Sequence, residues 1–319
     1  MKTVKHILIG TSLGEESDQV VRSGLAVARA VGARVFLVHA APLEPQLIGY
    51  EAGADTVARL DQLSQREEEL RQQIDRLGAG GPALEDSRIE TGAPHRVLLE
   101  TAKEIGADLI VVGATGSGPL AAELLGSTAD RVVRKAACPV LIVRGELRMP
   151  PREVLAPVDL STLSGDSFRR GLQILAQLTG TSRVRVRAIH ALSLLDALDF
   201  RERTGMSVDQ ARQHVASQLV RFIHENGSAL PLSVEAAVFP GEPRFEILRE
   251  LEEQPADLVI LGTHGRGGLD RLVLGSVAST VSRNAPCSVL VISPEAALEE
   301  GAADAVRAQT EPLWQGTEM

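Results

Sequence analysis

Apolar positions along this chain follow two alternating rhythms. Short, nearly continuous apolar runs read as buried strands at His6–Ile9, Val35–Val38, Leu84–Ile89, Asp108–Val112 and Pro139–Val143. They recur at Val154–Ala156, Val184–Ile189, Ser233–Val238, Leu258–Leu261 and Ser288–Ile292. Between them lie stretches with helical spacing: Ser17–Val31, Asp55–Leu77, Ala93–Glu104 and Ala129–Lys135, then Ser167–Leu178, Ser207–Glu225, Pro243–Glu252 and Ala278–Arg283. Pro94 falls near a first helical turn, where its missing N–H costs nothing. Strands that are apolar throughout and alternate with helices predict an α/β fold of mostly parallel sheets covered on both faces. Right-handed crossovers make each sheet open and doubly wound, with ligands at the carboxyl ends of the strands.

The pattern occurs twice. Residues 92–143 align with 241–292 without a gap, and 21 of the 52 positions are identical. The matched pairs include Asp108/Asp257, Gly113/Gly262, Gly116/Gly265, Gly126/Gly275, Ser127/Ser276 and Cys138/Cys287. The expected organisation is one five-stranded domain over 1–145 and a second over 152–294, joined by a linker that Pro150 and Pro151 stiffen. Residues 295–319 are rich in Ala, Glu and Gly and are expected to form a flexible tail, with Trp314 as its lone aromatic.

Composition narrows the partners. The 319 residues carry a net charge of −9 with 3% aromatics, which argues against nucleic acid or an anionic membrane surface. Two cysteines at equivalent places point to packing rather than a redox pair and to a reducing, cytoplasmic setting. The chain shows neither a signal-peptide pattern nor an apolar run of spanning length.

The candidate chemistry lies in a duplicated G-x2-G-x9-G-S pattern. It runs Gly262, Gly265, Gly275, Ser276 in the second half and Gly113, Gly116, Gly126, Ser127 in the first, with Thr128 following. Each copy starts at a strand end and leads into a helix, so its amides and hydroxyl form a cradle suited to phosphate. The alternative for these glycines is a tight turn without a ligand. No P-loop lysine, dinucleotide G-x-G-x-x-G after the first strand, zinc motif or G-x-S-x-G elbow is present, and no catalytic residue is assigned. His39 and His190 occupy matching strand ends and read as structural. The charged helix carrying Arg66, Glu67, Glu68, Glu69 and Arg71 reads as a solvated face.

On the duplicated glycine motif, the segment Val154-Leu-Ala-Pro-Val-Asp159-Leu-Ser161 and the closing Cys-Pro-Val-Leu-Ile-Val strand, the chain resembles universal stress proteins in their tandem two-domain form. The resemblance implies adenine nucleotide, ATP with AMP or ADP as alternatives and Mg²⁺ as companion, in domains that keep the glycines. It also implies pairing of the two fifth strands into an intramolecular pseudo-dimer, and a regulatory role in stress survival through an unidentified protein partner or a further homodimer. It places the family's nucleotide-contacting aspartate at Asp159, with Arg266 beside the phosphates and Ile189 against the adenine. For Asp159 the competing role is a cap on the following helix. The first half departs from the pattern: Ser12 stands opposite Asp159 and Ser117 opposite Arg266, which weakens that site. Two other functions stay open, a slow nucleotide hydrolase using His264 or Asp270, and a scaffold with remnant sites.

Overall fold

Along every central strand, buried side chains alternate between two cores. Ile7, Ile9, Leu109, Val111, Leu141 and Val143 enter one; Leu8, Ile110, Val112, Val140 and Ile142 enter the other. This period of two is what a sheet buried on both faces requires. The computed structural model describes residues 2–41, 54–78, 84–114, 125–205, 207–263 and 274–297. Within them the first half runs β1 (His6–Thr11), α1 (Glu15–Val31), β2 (Arg34–Ala41), α2 (Ala54–Arg76), β3 (Leu84–Thr91), α3 (Pro94–Glu104), β4 (Leu109–Gly113), α4 (Ser127–Lys135) and β5 (Val140–Val143). The second runs β6 (Glu153–Pro157), α5 (Thr162–Thr179), β7 (Arg185–Leu192), α6 (Leu194–Thr204), α7 (Val208–Gly227), β8 (Ser233–Pro240), α8 (Pro243–Glu253), β9 (Leu258–Gly262), α9 (Ser276–Asn284), β10 (Ser288–Ile292) and α10 (Pro294–Ala297).

The strands form one ten-stranded sheet in the order β3-β2-β1-β4-β5-β10-β9-β6-β7-β8. Each half is a parallel five-stranded sheet, and the halves meet where β5 and β10 pair antiparallel, centred on Leu141 opposite Leu290. The expected pseudo-dimer is therefore built into one chain. Around the seam, α1 and α5 face each other over Val27, Ile174 and Leu178. Further bonds cross it: Ser293 Oγ donates to the Ala136 carbonyl at 3.2 Å, and Arg170 Nη1 to the Lys2 carbonyl at 2.7 Å.

The repeated aspartates have a shared structural job. Asp108 Oδ2 accepts the amides of Lys5 and His6, and Asp257 Oδ2 accepts those of Arg152 and Glu153, so each ties the start of its half's first strand. Helix α2 carries the solvated charges expected of it, with Arg66–Glu69 and Arg71–Glu68 pairs on its surface. Its last turn, however, is anchored. Buried Gln73 accepts from Thr11 Oγ1 at 2.7 Å and donates to Asp18 Oδ1 at 2.8 Å, while Arg76 forks onto the same Asp18 carboxylate. Burial raises the Asp18 pKa, but the hydrogen bonds from Arg76 and Gln73 and the charges of Arg76 and Arg22 outweigh it and leave it below its ordinary value.

Two elements were not visible in the periodicity. Helix α6 exposes Leu194 and Leu195 and buries little beyond Ala197, so it lacks an apolar stripe; Ser193 caps its start and Gly205, in the left-handed region, ends it. Helix α10 is a single turn seated on α5 through Ala296, at the start of the segment expected to be tail. Trp314 lies outside the described residues. Among the described residues no helix is long and apolar enough to cross a membrane.

Candidate functional site

Strand order decides where a ligand fits. In the first half the chain moves outward from β1 to β2 and β3, then returns to the other side of β1 for β4 and β5. The connections leaving β1 and β4 therefore diverge to opposite faces and open a crevice at their carboxyl ends. The second half has the same switch between β6 and β9.

In the first half this crevice is a cavity of about 670 Å³. Gly10, Thr11 and Ser12 line it from the end of β1, and Val112, Gly113 and Ala114 from the end of β4. Its polar lining includes Ser12, Glu16, His39 and Arg66. Its apolar lining includes Val38, Ala40, Pro94 and Leu98. Thr128, in the first turn of α4, lines it as well, as do Arg144 and Gly145. Gly126 precedes α4 with extended backbone and no side-chain cap, so the first amides of that helix are left for solvent or a ligand. The Gly126 amide itself turns back to the Ala114 carbonyl at 2.7 Å, which closes the loop after β4 upon itself.

The second half repeats this closure, with the Gly275 amide on the Thr263 carbonyl at 2.9 Å and Ser276 opening α9. A Cβ at residue 275 would stand 3.0 Å from that carbonyl, which explains a glycine there. Register places Leu155 beside Val259, so Asp159 and Thr263 leave the sheet at the same level from adjacent strands. Asp159 Oδ1 accepts the Ser161 amide at 3.0 Å and the Ser161 hydroxyl at 2.6 Å, and Ser161 Oγ in turn accepts the Ser164 amide at the start of α5. The cap of α5 is therefore Ser161, and Asp159 braces that cap without bonding the helix amides itself.

The other expected residues fall as follows. Ile189 is 1% exposed and packs in the core on the α8 and α9 face, while its carbonyl accepts the Val158 amide. Its first-half counterpart Val38 lines the cavity. Gly113 and Thr128 line the same cavity, with Gly126 and Ser127 at the start of α4. Gly116, Ser117, His264, Gly265, Arg266 and Asp270 lie outside the described residues. Among the described residues no three His, Cys, Asp or Glu side chains converge as a metal site.

The two matched histidines share one contact. His39 Nδ1 donates to the Thr11 carbonyl at 3.0 Å, and His190 Nδ1 to the Val158 carbonyl at 2.8 Å. Each pins the end of its half's first strand to the second. Burial holds the His39 ring below its ordinary pKa against the raising effect of that hydrogen bond. Arg144 is also committed: its guanidinium donates to the Arg283 carbonyl at 2.8 Å, capping the last turn of α9 across the seam. Sequence reasoning passed over Glu16, Arg66 and Arg144 as lining residues, because each comes from an element whose orientation only the fold supplies.

Against known proteins, the Universal stress protein family profile matches this chain twice, over residues 3–144 and 151–293. A universal stress protein of Mycolicibacterium smegmatis is 27% identical over 307 residues, spanning 90% of this chain and 97% of its own length. One from Mycobacterium tuberculosis H37Rv is 28% identical over 216 residues, 67% of this chain and 71% of its own. In fold, the crystal structure of a universal stress protein from Archaeoglobus fulgidus superposes with a TM-score of 0.62 at 21% identity, covering 91% of this chain and 96% of that one. Two family matches, in halves joined through their fifth strands, make this chain a tandem member of the universal stress protein family.

Proposed function

We propose that this chain is a nucleotide-binding regulator of the stress response, acting in the cytoplasm, that holds ATP at both of its switch-point crevices. The observation that carries this reading is the first-half cavity of about 670 Å³, whose walls are the ends of β1 and β4 and the first turn of α4. Its size lies in the range of small-molecule sites, roughly 300–1,000 Å³. Its apolar lining residues fit a purine, and the uncapped amides at Ser127 and Thr128 fit phosphate. In the second half the corresponding groups are Asp159, Gly262, Gly275 and Ser276, completed by Gly265 and Arg266, with Ile189 beneath the base. AMP and ADP occupy the same crevices with fewer phosphates, and Mg²⁺ enters with the phosphates as their counter-ion. Bound nucleotide stabilises whichever arrangement of the β4–α4 and β9–α9 loops it prefers, and so shifts what a protein partner or a second copy meets.

Calorimetric titration of the nucleotide-stripped protein with MgATP tests the reading. Two equivalents per chain is the expected result. One equivalent confines binding to a single half, and none, from a folded protein, overturns it in favour of a scaffold with remnant sites.

A further inference from the structure

We propose that Glu16 supplies the first half with the ribose-binding carboxylate that Ser12 lacks, making that crevice selective for nucleotides with free ribose hydroxyls. The inference rests on the nucleotide reading given above.

The two halves are matched residue by residue at this place. Leu13 and Leu160 both take left-handed backbone, with φ of 68° and 65°. One residue earlier stand Ser12 and Asp159, and one before that Thr11 and Val158, whose carbonyls accept from His39 and His190. In the second half the carboxylate is on the strand end and a hydroxyl on the helix start leans on it: Ser161 Oγ donates to Asp159 Oδ1. In the first half the partners have exchanged places. Ser12 Oγ, on the strand end, donates to Glu16 Oε1 at 3.2 Å, and the carboxylate comes from the first turn of α1.

Gly14 makes this exchange feasible. The Glu16 side chain folds back over residue 14, and a Cβ there would lie 2.6 Å from Oε1. The second half has Ser161 at this position and Leu163 in place of Glu16, so it has neither the gap nor the acid. Ser12 and Glu16 both line the cavity with Thr128, and α1 and α4 cover opposite faces of the sheet, so Glu16 and Thr128 reach the cavity from opposite sides. A nucleotide with its phosphates at the α4 amides turns its sugar toward the α1 side, where Glu16 stands. Glu16 has two acceptor oxygens and no donor, which suits a pair of ribose hydroxyls.

The full chain labelled with 8-azido-ATP and mapped by peptide reports each half separately. Protection by ATP is compared with protection by 2′,3′-dideoxy-ATP. In the unmodified chain ATP protects first-half peptides at about tenfold lower concentration, the effect of one or two hydrogen bonds to a charged acceptor. Glu16→Ala brings that ratio close to one. Gly14→Ala does the same without removing the acid, because its methyl displaces a flexible carboxylate rather than backbone. Adding Ser12→Asp to Glu16→Ala restores the preference by placing the carboxylate where the second half has it. Second-half peptides keep one ratio throughout and serve as the folding control. First-half labelling whose ratio ignores both Glu16→Ala and Gly14→Ala overturns the assignment while leaving nucleotide binding standing. Absence of specific first-half labelling in the unmodified chain overturns both.

Discussion

Arg283 of the second half reaches across the seam to Asp130 of the first, with Nη2 at 2.9 Å from Oδ1. Arg134 forks onto the same carboxylate from within its own helix. The Arg134 hydrogen bonds, opposed by burial and aided by both guanidinium charges, hold the Asp130 pKa below its ordinary value. A carboxylate depressed in the folded state stabilises above its unfolded pKa, and that contribution disappears as pH falls through the folded value. Asp130→Asn should therefore cost about 1 kcal/mol at neutral pH, the scale of a partly exposed pair. The gap between variant and unmodified protein in urea melts should close as pH drops below about 4.

A second ion pair is buried on both sides. Arg187 and Glu250 are 5% and 4% exposed and bonded to each other, and Arg187 Nη2 also donates to the Gln254 carbonyl at 2.6 Å. The matching positions of the first half are Phe36 and Thr101. Removing one partner leaves a buried charge, so Glu250→Ala should cost about 3–5 kcal/mol in chemical denaturation. Importing the first-half pair, Arg187→Phe with Glu250→Thr, should recover all but about 1 kcal/mol, since apolar replacements for buried ion pairs are often neutral or better.

Helix α5 approaches the sheet so closely at Gly171 that a Cβ there would overlap Ile260 Cγ2, and at the matching Gly24 of α1 it would stand 2.8 Å from Ile9 Cγ1. Alanine for glycine inside a helix ordinarily stabilises by roughly 0.5–1 kcal/mol. At Gly171 the sign should reverse, with Gly171→Ala losing about 1–3 kcal/mol through overpacking. A raised melting temperature for this variant would contradict the close approach.

Burial pushes the Cys138 thiol up to about 12 and the Cys287 thiol to about 11. Only a thiolate reacts readily with an alkylating agent. Both cysteines should remain unmodified by iodoacetamide at pH 8 in the folded chain and react on unfolding, as mass spectrometry would show. Rapid labelling of either would contradict the packing role that their equivalent positions imply.

The sheet was legible because its strands are buried on both faces and so read as continuous apolar runs. The expected Ser288–Ile292 coincides with β10, and Leu258–Leu261 stops one residue short of β9. Edge strands were harder. The residues of β8 are half-buried or exposed, and its last two, Phe239 and Pro240, carry no period that sets them apart from the turn that follows. Helix α5 starts at Thr162, five residues before its apolar spacing becomes evident, because Ser161 and Asp159 organise that end through hydrogen bonds. The first-half cavity was legible where a strand end and a glycine coincide, at Gly113. Glu16 and Arg66 were not, since a charge on a helix faces solvent by default and only the placement of α1 and α2 turns these two toward the crevice.

Antiparallel pairing of β5 with β10 uses up the edges that each half would otherwise present to a second molecule. A dimer of identical single domains must carry the same residues in both of its crevices, and its assembly depends on concentration. Covalent fusion removes both constraints. The two crevices descend from one pattern yet can drift apart, with a carboxylate on the strand end in one and on the helix start in the other. They remain attached to a common sheet and present in equal number at any dilution, so the lining of one can change while the other keeps its own.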